Sequence, residues 1–215
     1  MLVIGAKGFA KEILEVLYQN SQTDNLVFYD DVNADAPEEL YGQFKILKNT
    51  DEASIYFKTI DNRFTIGIGS PILRKKIFEQ FVFLGGVFSA TISPFASIGS
   101  FDVKIGTGCN ILANSIFSNS VKIGIGSIIY YNAIITHDCI VGDFVEISPS
   151  VTLLGRCSVG SFSQIGSNAT ILPDIKIGKN VIVGAGSLVT KDIPDNCMVV
   201  GIPAKISKEL EPLNF

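Results

Sequence analysis

From Ile105 onward a large apolar side chain returns at every sixth residue: Ile105, Ile111, Phe117, Ile123, Ile129, Ile135, Val141, Ile147, Leu153, Val159, Ile165, Ile171, Ile177, Val183 and Val189. Four residues after many of them sits a smaller side chain, as at Cys109, Ser115, Ser127, Ala133, Cys139, Cys157, Ser163, Ala169 and Ser187. Ile-Gly or Val-Gly pairs at 105, 123, 141, 159 and 177 lay a second period of 18 over the first. A six-residue frame of this kind predicts a parallel β-helix, in which each hexapeptide is a short strand plus a turn. Three hexapeptides then close a triangular coil of 18 residues with the aliphatic side chains stacked inside. One coil cannot bury its own apolar face, so stability comes from stacking neighbours. An ordinary sandwich with evenly spaced strands would not hold so strict a register for so long. Ile92 and Ile98 keep the step but stand one residue out of frame, so the coil is expected to begin near Thr91.

The first 90 residues follow another rhythm. "MLVIG", "NLVFYDD" and "FTIGIGS" read as short buried strands bounded by glycine or aspartate. "FAKEILEVLYQN" sets Ile13, Leu14, Val16 and Leu17 on one helical face, and "PILRKKIFEQF" opens a helix with Pro71 at its first position. The expectation is a small α/β domain with a parallel sheet over 1–90, followed by a β-helix over 91–215.

Composition narrows the function classes. The 215 residues carry 17 Lys plus Arg against 21 Asp plus Glu, with no basic run, so nucleic acid is not an expected partner. Apolar runs are short and interrupted, which argues against a membrane span. The chain enters an apolar strand and a glycine turn directly, with no signal-peptide pattern, so a cytoplasmic location is expected. The four cysteines form no CxxC pair and have no histidine cluster beside them, so no metal site is expected. Cys109, Cys139 and Cys157 occupy the small interior position and read as packing residues.

Two stretches could carry chemistry. His137, the only histidine, is the third residue of the hexad that starts at Ile135, which puts it on an outward turn with Asp138 beside it. The outward corner of a coil has no packing need for an imidazole, and a carboxylate neighbour can hold the ring or favour its protonated form. The second stretch is "GAKGFAKE", a turn between a strand and a helix, where backbone N–H groups can face a phosphate. Its G-x-x-G spacing misses the G-x-G-x-x-G dinucleotide fingerprint, so a nucleotide sugar fits better than NAD. The alternative is a tight turn followed by solvated aspartates.

The hexapeptide array together with "VGAGSLVTKDIPDNCMVVGIPAK" resembles the left-handed β-helix acyltransferases. "VIGAKGFAKE", "FYDD", "IGIGSPILRKKI" and "THDCIVGDFVEISP" extend the resemblance over essentially the whole chain, to bacterial nucleotide-amino-sugar N-acetyltransferases and sialic acid O-acetyltransferases. The resemblance, not the period, supplies the left-handed sense. It implies acetyl-CoA as cosubstrate and no metal. It assigns His137 as general base and Asp138 as its support, and puts Glu146, Gly155, Ser167 and Ala185 along the acetyl-CoA groove. Lys7, Gly8 and Phe9 would meet the diphosphate, and Asp30 and Asp31 the nucleoside. Glu146 stands where relatives carry a second histidine, and Phe9 where they often carry a histidine. The implied acceptor is a UDP- or dTDP-linked 4-amino-4,6-dideoxyhexose, with O-acetylation of sialic acid or a related sugar as the alternative. The implied assembly is a homotrimer with sites between neighbouring coils. From a different class, a non-catalytic β-helix scaffold is the remaining reading, and a γ-type carbonic anhydrase is excluded because it needs three histidines.

Overall fold

The computed structural model describes residues 1–33 and 37–215. The N-terminal half runs β1 (Leu2–Ile4), α1 (Gly8–Gln19), β2 (Val27–Tyr29), β3 (Glu39–Leu40), β4 (Phe44–Leu47), α2 (Thr50–Thr59), β5 (Arg63–Ile66), α3 (Pro71–Phe83) and β6 (Val87–Phe88). These strands form one sheet in the order β3-β4-β2-β1-β5-β6, parallel except for the β3–β4 hairpin. The helical face expected of α1 is buried, with Ala10 added to it. β3, β4, α2 and β6 are additions to the elements expected from the sequence. α2 did have a local signal: Asn49 accepts from the Glu52 N–H while its amide donates to the Glu52 carboxylate, a reciprocal cap.

The C-terminal half is a left-handed parallel β-helix with three faces. Its first strand is Thr91–Ile92, and most rungs pair residues 18 apart, as in Ile111↔Ile129 and Ile129↔Ile147. The first coil is longer: Ile92 pairs with Ile111 and Ile98 with Phe117, each 19 residues on. The extra residue lies between Ile98 and Ile105, which explains the frame shift. Inside, the stacked residues from Ile111 to Val189 are at most 4% exposed. Each such side chain contributes roughly 1.5–3 kcal/mol by leaving water. Cys139 and Cys157 are stacked on successive rungs, with their sulfurs 3.6 Å apart as free thiols.

Every sixth residue from Gly108 to Gly186 turns a corner with φ between 53° and 68°. This left-handed conformation favours Gly, Asn and Asp, and Gly108, Asn114, Gly126, Asn132, Asp138 and Asn168 satisfy it. The corner between face one (Glu146–Ile147 and its stack) and face two (Ile134–Ile135) carries Asn132, Ser150 and Asn168. The corner between face two and face three (Ile140–Val141) carries Ser120, Asp138, Arg156 and Asp174. The corner from face three back to face one carries Gly126, Phe144 and Phe162.

Face one and this last corner are where the two halves join. Asn110 on the coil accepts from Thr65 and Thr91 and donates to the Ile66 carbonyl, all buried. Arg74 from α3 is fully buried and donates to the carbonyls of Gly69, Gly126, Phe144 and Val145. Phe78, Phe144, Phe162 and Phe215 form a row with ring centroids 5.0–5.9 Å apart. Among the described residues no helix is long and apolar enough to cross a membrane.

Candidate active site

The local conformation at His137 follows from the corner. Asp138 takes the left-handed position (φ 61°), which the turn alone would grant equally to Asn or Gly. What Asp adds is a carboxylate: its Oδ2 lies 2.8 Å from His137 Nδ1. With the carboxylate accepting, the ring proton sits on Nδ1 and the Nε2 lone pair is left free. Both side chains are about half exposed, 53% each.

One rung on, Gly155 lies against the face of the ring. A Cβ added there would come within 2.6 Å of His137 Cε1 and Nε2, so only glycine lets the imidazole lie over this turn. Among the described residues the Gly155 N–H donates to no acceptor, while its carbonyl accepts from Asp174 N–H. A free base nitrogen and an unused N–H donor thus share one corner, the imidazole half exposed and Gly155 buried against it. This is the set needed to take a proton from a nucleophile and stabilise a developing oxyanion.

Glu146, Ser167 and Ala185 are elsewhere in the chain. Ser167 and Ala185 turn successive rungs of the corner between faces one and two, beside which Glu146 projects from face one. Glu146 accepts from Gln164 Nε2 at 3.1 Å. It is also the first anion opposing the loss of charge at Arg74, whose guanidinium burial pulls down to about 10. Glu146 thus stands within the field of the buried Arg74 cation, a relation that the sequence did not reveal. Tyr130 lies nearby: burial, then the Glu146 and Glu12 carboxylates, push its phenol well above the usual range. Glu12 itself is pushed up by burial, and its Oε2 has no hydrogen-bond partner. Neither Glu12, Tyr130 nor Arg74 was singled out from the sequence, because a helical face shows nothing of what another half of the chain will press against it.

At the other end of this junction, a cleft of about 430 Å³ is lined by Gly5, Lys7, Asp30, Asp31, Gly67 and Phe81, among others. Gly5 has φ 102°, a conformation that favours glycine, and an added Cβ would also meet the Gly67 carbonyl at 3.0 Å. α1 starts at Gly8 with no side-chain cap and no acidic residue in its first turn, so its N–H groups are open to an anion. Lys7 Nζ donates to Asn33 Oδ1 at the rim. The two aspartates differ. Asp30 is buried, and its carboxylate is spent on Val32 N–H, Asn33 N–H and the Asn33 amide, which shape the loop. Asp31 is exposed and accepts from Tyr29 OH at 2.9 Å. Phe9 faces away from these polar groups and packs on Tyr130 of the coil, ring centroids 5.2 Å apart.

Known proteins share both halves. The PglD N-terminal domain family matches residues 1–81, and the bacterial transferase hexapeptide (six repeats) family matches residues 156–191. A perosamine N-acetyltransferase mutant from Caulobacter crescentus, solved with CoA and GDP-perosamine, is 28% identical with a TM-score of 0.89, covering 97% of this chain and 96% of its own. The acetyltransferase domain of PglB from Neisseria gonorrhoeae, solved with acetyl coenzyme A, is 28% identical with a TM-score of 0.85, covering 95% of this chain and 97% of its own. Both halves, and nearly the whole length of the chain, are thus similar to acetyltransferases of nucleotide-linked amino sugars built on hexapeptide repeats. A search of curated proteins gave no match. WeeI from Acinetobacter baumannii, 24% identical with a TM-score of 0.62 over 95% of this chain and 98% of its own, shares the fold.

The expected site residues divide into two groups. His137, Asp138 and Gly155 share the corner between faces two and three. Glu146, Ser167 and Ala185 share the edge between faces one and two. No group of three or more His, Cys, Asp or Glu side chains is placed to hold a metal among the described residues.

Proposed function

We propose that the protein transfers an acetyl group from acetyl-CoA to the amine of a nucleotide-linked amino sugar, with His137 as general base. The observation that carries this is the exposed corner where a carboxylate-held imidazole lies over the Gly155 turn. His137 Nε2 takes a proton from the acceptor amine as nitrogen attacks the thioester carbonyl. The Gly155 N–H steadies the oxygen as it gains charge, and the C–S bond then breaks as the imidazolium passes its proton to the leaving sulfur, releasing the CoA thiol and a neutral ring. Asp138 keeps the ring in the tautomer this requires. No covalent enzyme intermediate enters the sequence, since the amine attacks the thioester directly.

Residues 1–90 hold the nucleotide sugar and 91–215 provide the chemistry in this reading. The diphosphate lies on the open N-terminus of α1 near Lys7 and Gly8, with the base against Asp31 in the cleft. The similarity to proteins solved as perosamine N-acetyltransferases supports an amine acceptor over the hydroxyl of a sialic acid. Both substrates are cytoplasmic metabolites, and the cytoplasm is where we put the enzyme.

The division of the site between two corners supports a trimer. Both corners flank face two, whose outward row is Ser97, Ile116, Ile134, Thr152, Thr170 and Leu188, without a charge. Face three instead presents Lys104, Lys122 and Lys176. When three copies turn face two toward a common axis, the trailing edge of one face adjoins the leading edge of the next. His137 and Gly155 of one copy then meet Glu146, Ser167 and Ala185 of its neighbour. Sedimentation should give a trimer, and a stable monomer would contradict this arrangement.

The deciding assay incubates enzyme, acetyl-CoA and UDP-, dTDP- or GDP-linked amino sugars, with sialic acid in parallel, while free thiol is followed. Thiol release with an amino-sugar nucleotide is expected. Release with sialic acid alone would favour O-acetylation, and silence together with no acetyl-CoA binding would favour a scaffold.

A further inference from the structure

Asp138, Arg156 and Asp174 occupy the same corner position on three successive rungs, with φ of 61°, 63° and 66°. The rungs are tied by Arg156 N–H to the His137 carbonyl and Asp174 N–H to the Gly155 carbonyl, both 3.0 Å. Neighbouring rungs of a parallel sheet lie about 4.8 Å apart, so Arg156 stands between two carboxylates at the same backbone distance. It is committed to the upper one: Nε lies 2.6 Å from Asp174 Oδ1 and a terminal nitrogen 2.9 Å from Oδ2. Asp138 below is left with His137 as its side-chain partner. The Asp138 charge nonetheless acts on Arg156, so the guanidinium lies in the field of both carboxylates.

A guanidinium without its upper partner would have one remaining carboxylate on this corner, and bidentate pairing with it would compete directly with the imidazole. We propose that Asp174 is a positioning residue for acetyl transfer: its pair with Arg156 keeps the guanidinium off Asp138 and leaves that carboxylate to His137 Nδ1. The proposal rests on His137 being the general base, but it is tested at the ring itself. Because His137 is the only histidine, a nitrogen-15 spectrum of the imidazole reports one residue without ambiguity.

In the full-length protein at neutral pH, wild type should show the Nδ1-protonated tautomer. Asp174→Asn should shift the ring toward the Nε2-protonated tautomer that a free imidazole favours. The double variant Asp174→Asn with Arg156→Ala should return it, since the competitor is gone. Turnover, measured with whichever amino-sugar nucleotide releases thiol, should follow the same order. Asp174→Asn should lower kcat by about tenfold, the scale of a lost orienting partner, with KM for acetyl-CoA little changed. Arg156→Ala alone should stay near wild type, and Asp174→Asn should add nothing to Asp138→Ala. An unshifted tautomer in Asp174→Asn, or a double variant no better than the single one, overturns the proposal. Both readings are distinguishable from failure of the general-base assignment, in which His137→Ala keeps full turnover while the tautomer data stand.

Discussion

Two corners of the same prism have the same backbone and opposite fates. At Asp138 and at Phe144 the chain turns through the left-handed region at φ 61° and 53°. Asp138 is exposed, with a polar ladder above it. Phe144 is 3% exposed, packed between Phe78 of the N-terminal half and Phe162 of the next rung. A bulky residue in this conformation costs about 1–2 kcal/mol relative to its ordinary geometry. Burial of the ring between the two halves offsets that cost, whereas Asp138 incurs little of it. The repeat thus dictates where a corner falls, and whatever lies against the corner decides which side chain it can carry.

The largest expected effect is on the exposed corner. His137→Ala should lose about 10²–10⁴-fold in kcat while melting like wild type; unchanged turnover would make the corner mere scaffold. Next is the covered one. Phe144→Ala should destabilise the protein by about 3–5 kcal/mol in denaturant titration, because it opens a void under Phe78 without removing the turn strain. A loss near zero would mean that other contacts, among them those of Arg74, Asn110 and Phe9, hold the halves together without it. Between chemistry and packing stands Gly155→Ala. The added methyl must push the ring aside, and a displacement near 1 Å costs up to about 10²-fold in turnover, with little change in stability.

The smallest effect lies far from both corners. Burial would raise the Asp61 carboxyl, but hydrogen bonds from Arg63 and the N-terminal ammonium win and hold it well below its ordinary 3.8. A lowered folded-state value gives stability that is present above the unfolded value and lost as pH falls below it. Wild type should therefore lose stability from about pH 4 downward, and Asp61→Asn should show a shallower loss over the same interval. Parallel slopes would remove Asp61 as a contributor and leave the acid response to the coil.

Much of this was legible because the repeat is strict. The interior stack, the burial of Cys109, Cys139 and Cys157, and the outward setting of His137 all follow from counting by six. The corner position three residues after each aliphatic carries a signal the sequence reading did not use, since it is often Gly, Asn or Asp. At Phe144, Arg156 and Phe162 that signal disappears. The N-terminal additions β4 and α2 were harder, because "FKIL" and "TDEASIYFKT" carry short patterns with weak contrast. Asp30 and Asp31 look alike in sequence, yet one shapes the loop and the other stays exposed to the cleft.

The sequence alone determined the prism, its register and the rim position of a single imidazole, since a period of six leaves no other way to bury one aliphatic residue in each hexad. Tertiary structure decided what surrounds that rim. The burial of Arg74 among backbone carbonyls and the setting of Glu146 in its field arise where distant segments meet. No local pattern encodes such meetings, because their energies depend on what each surface is pressed against.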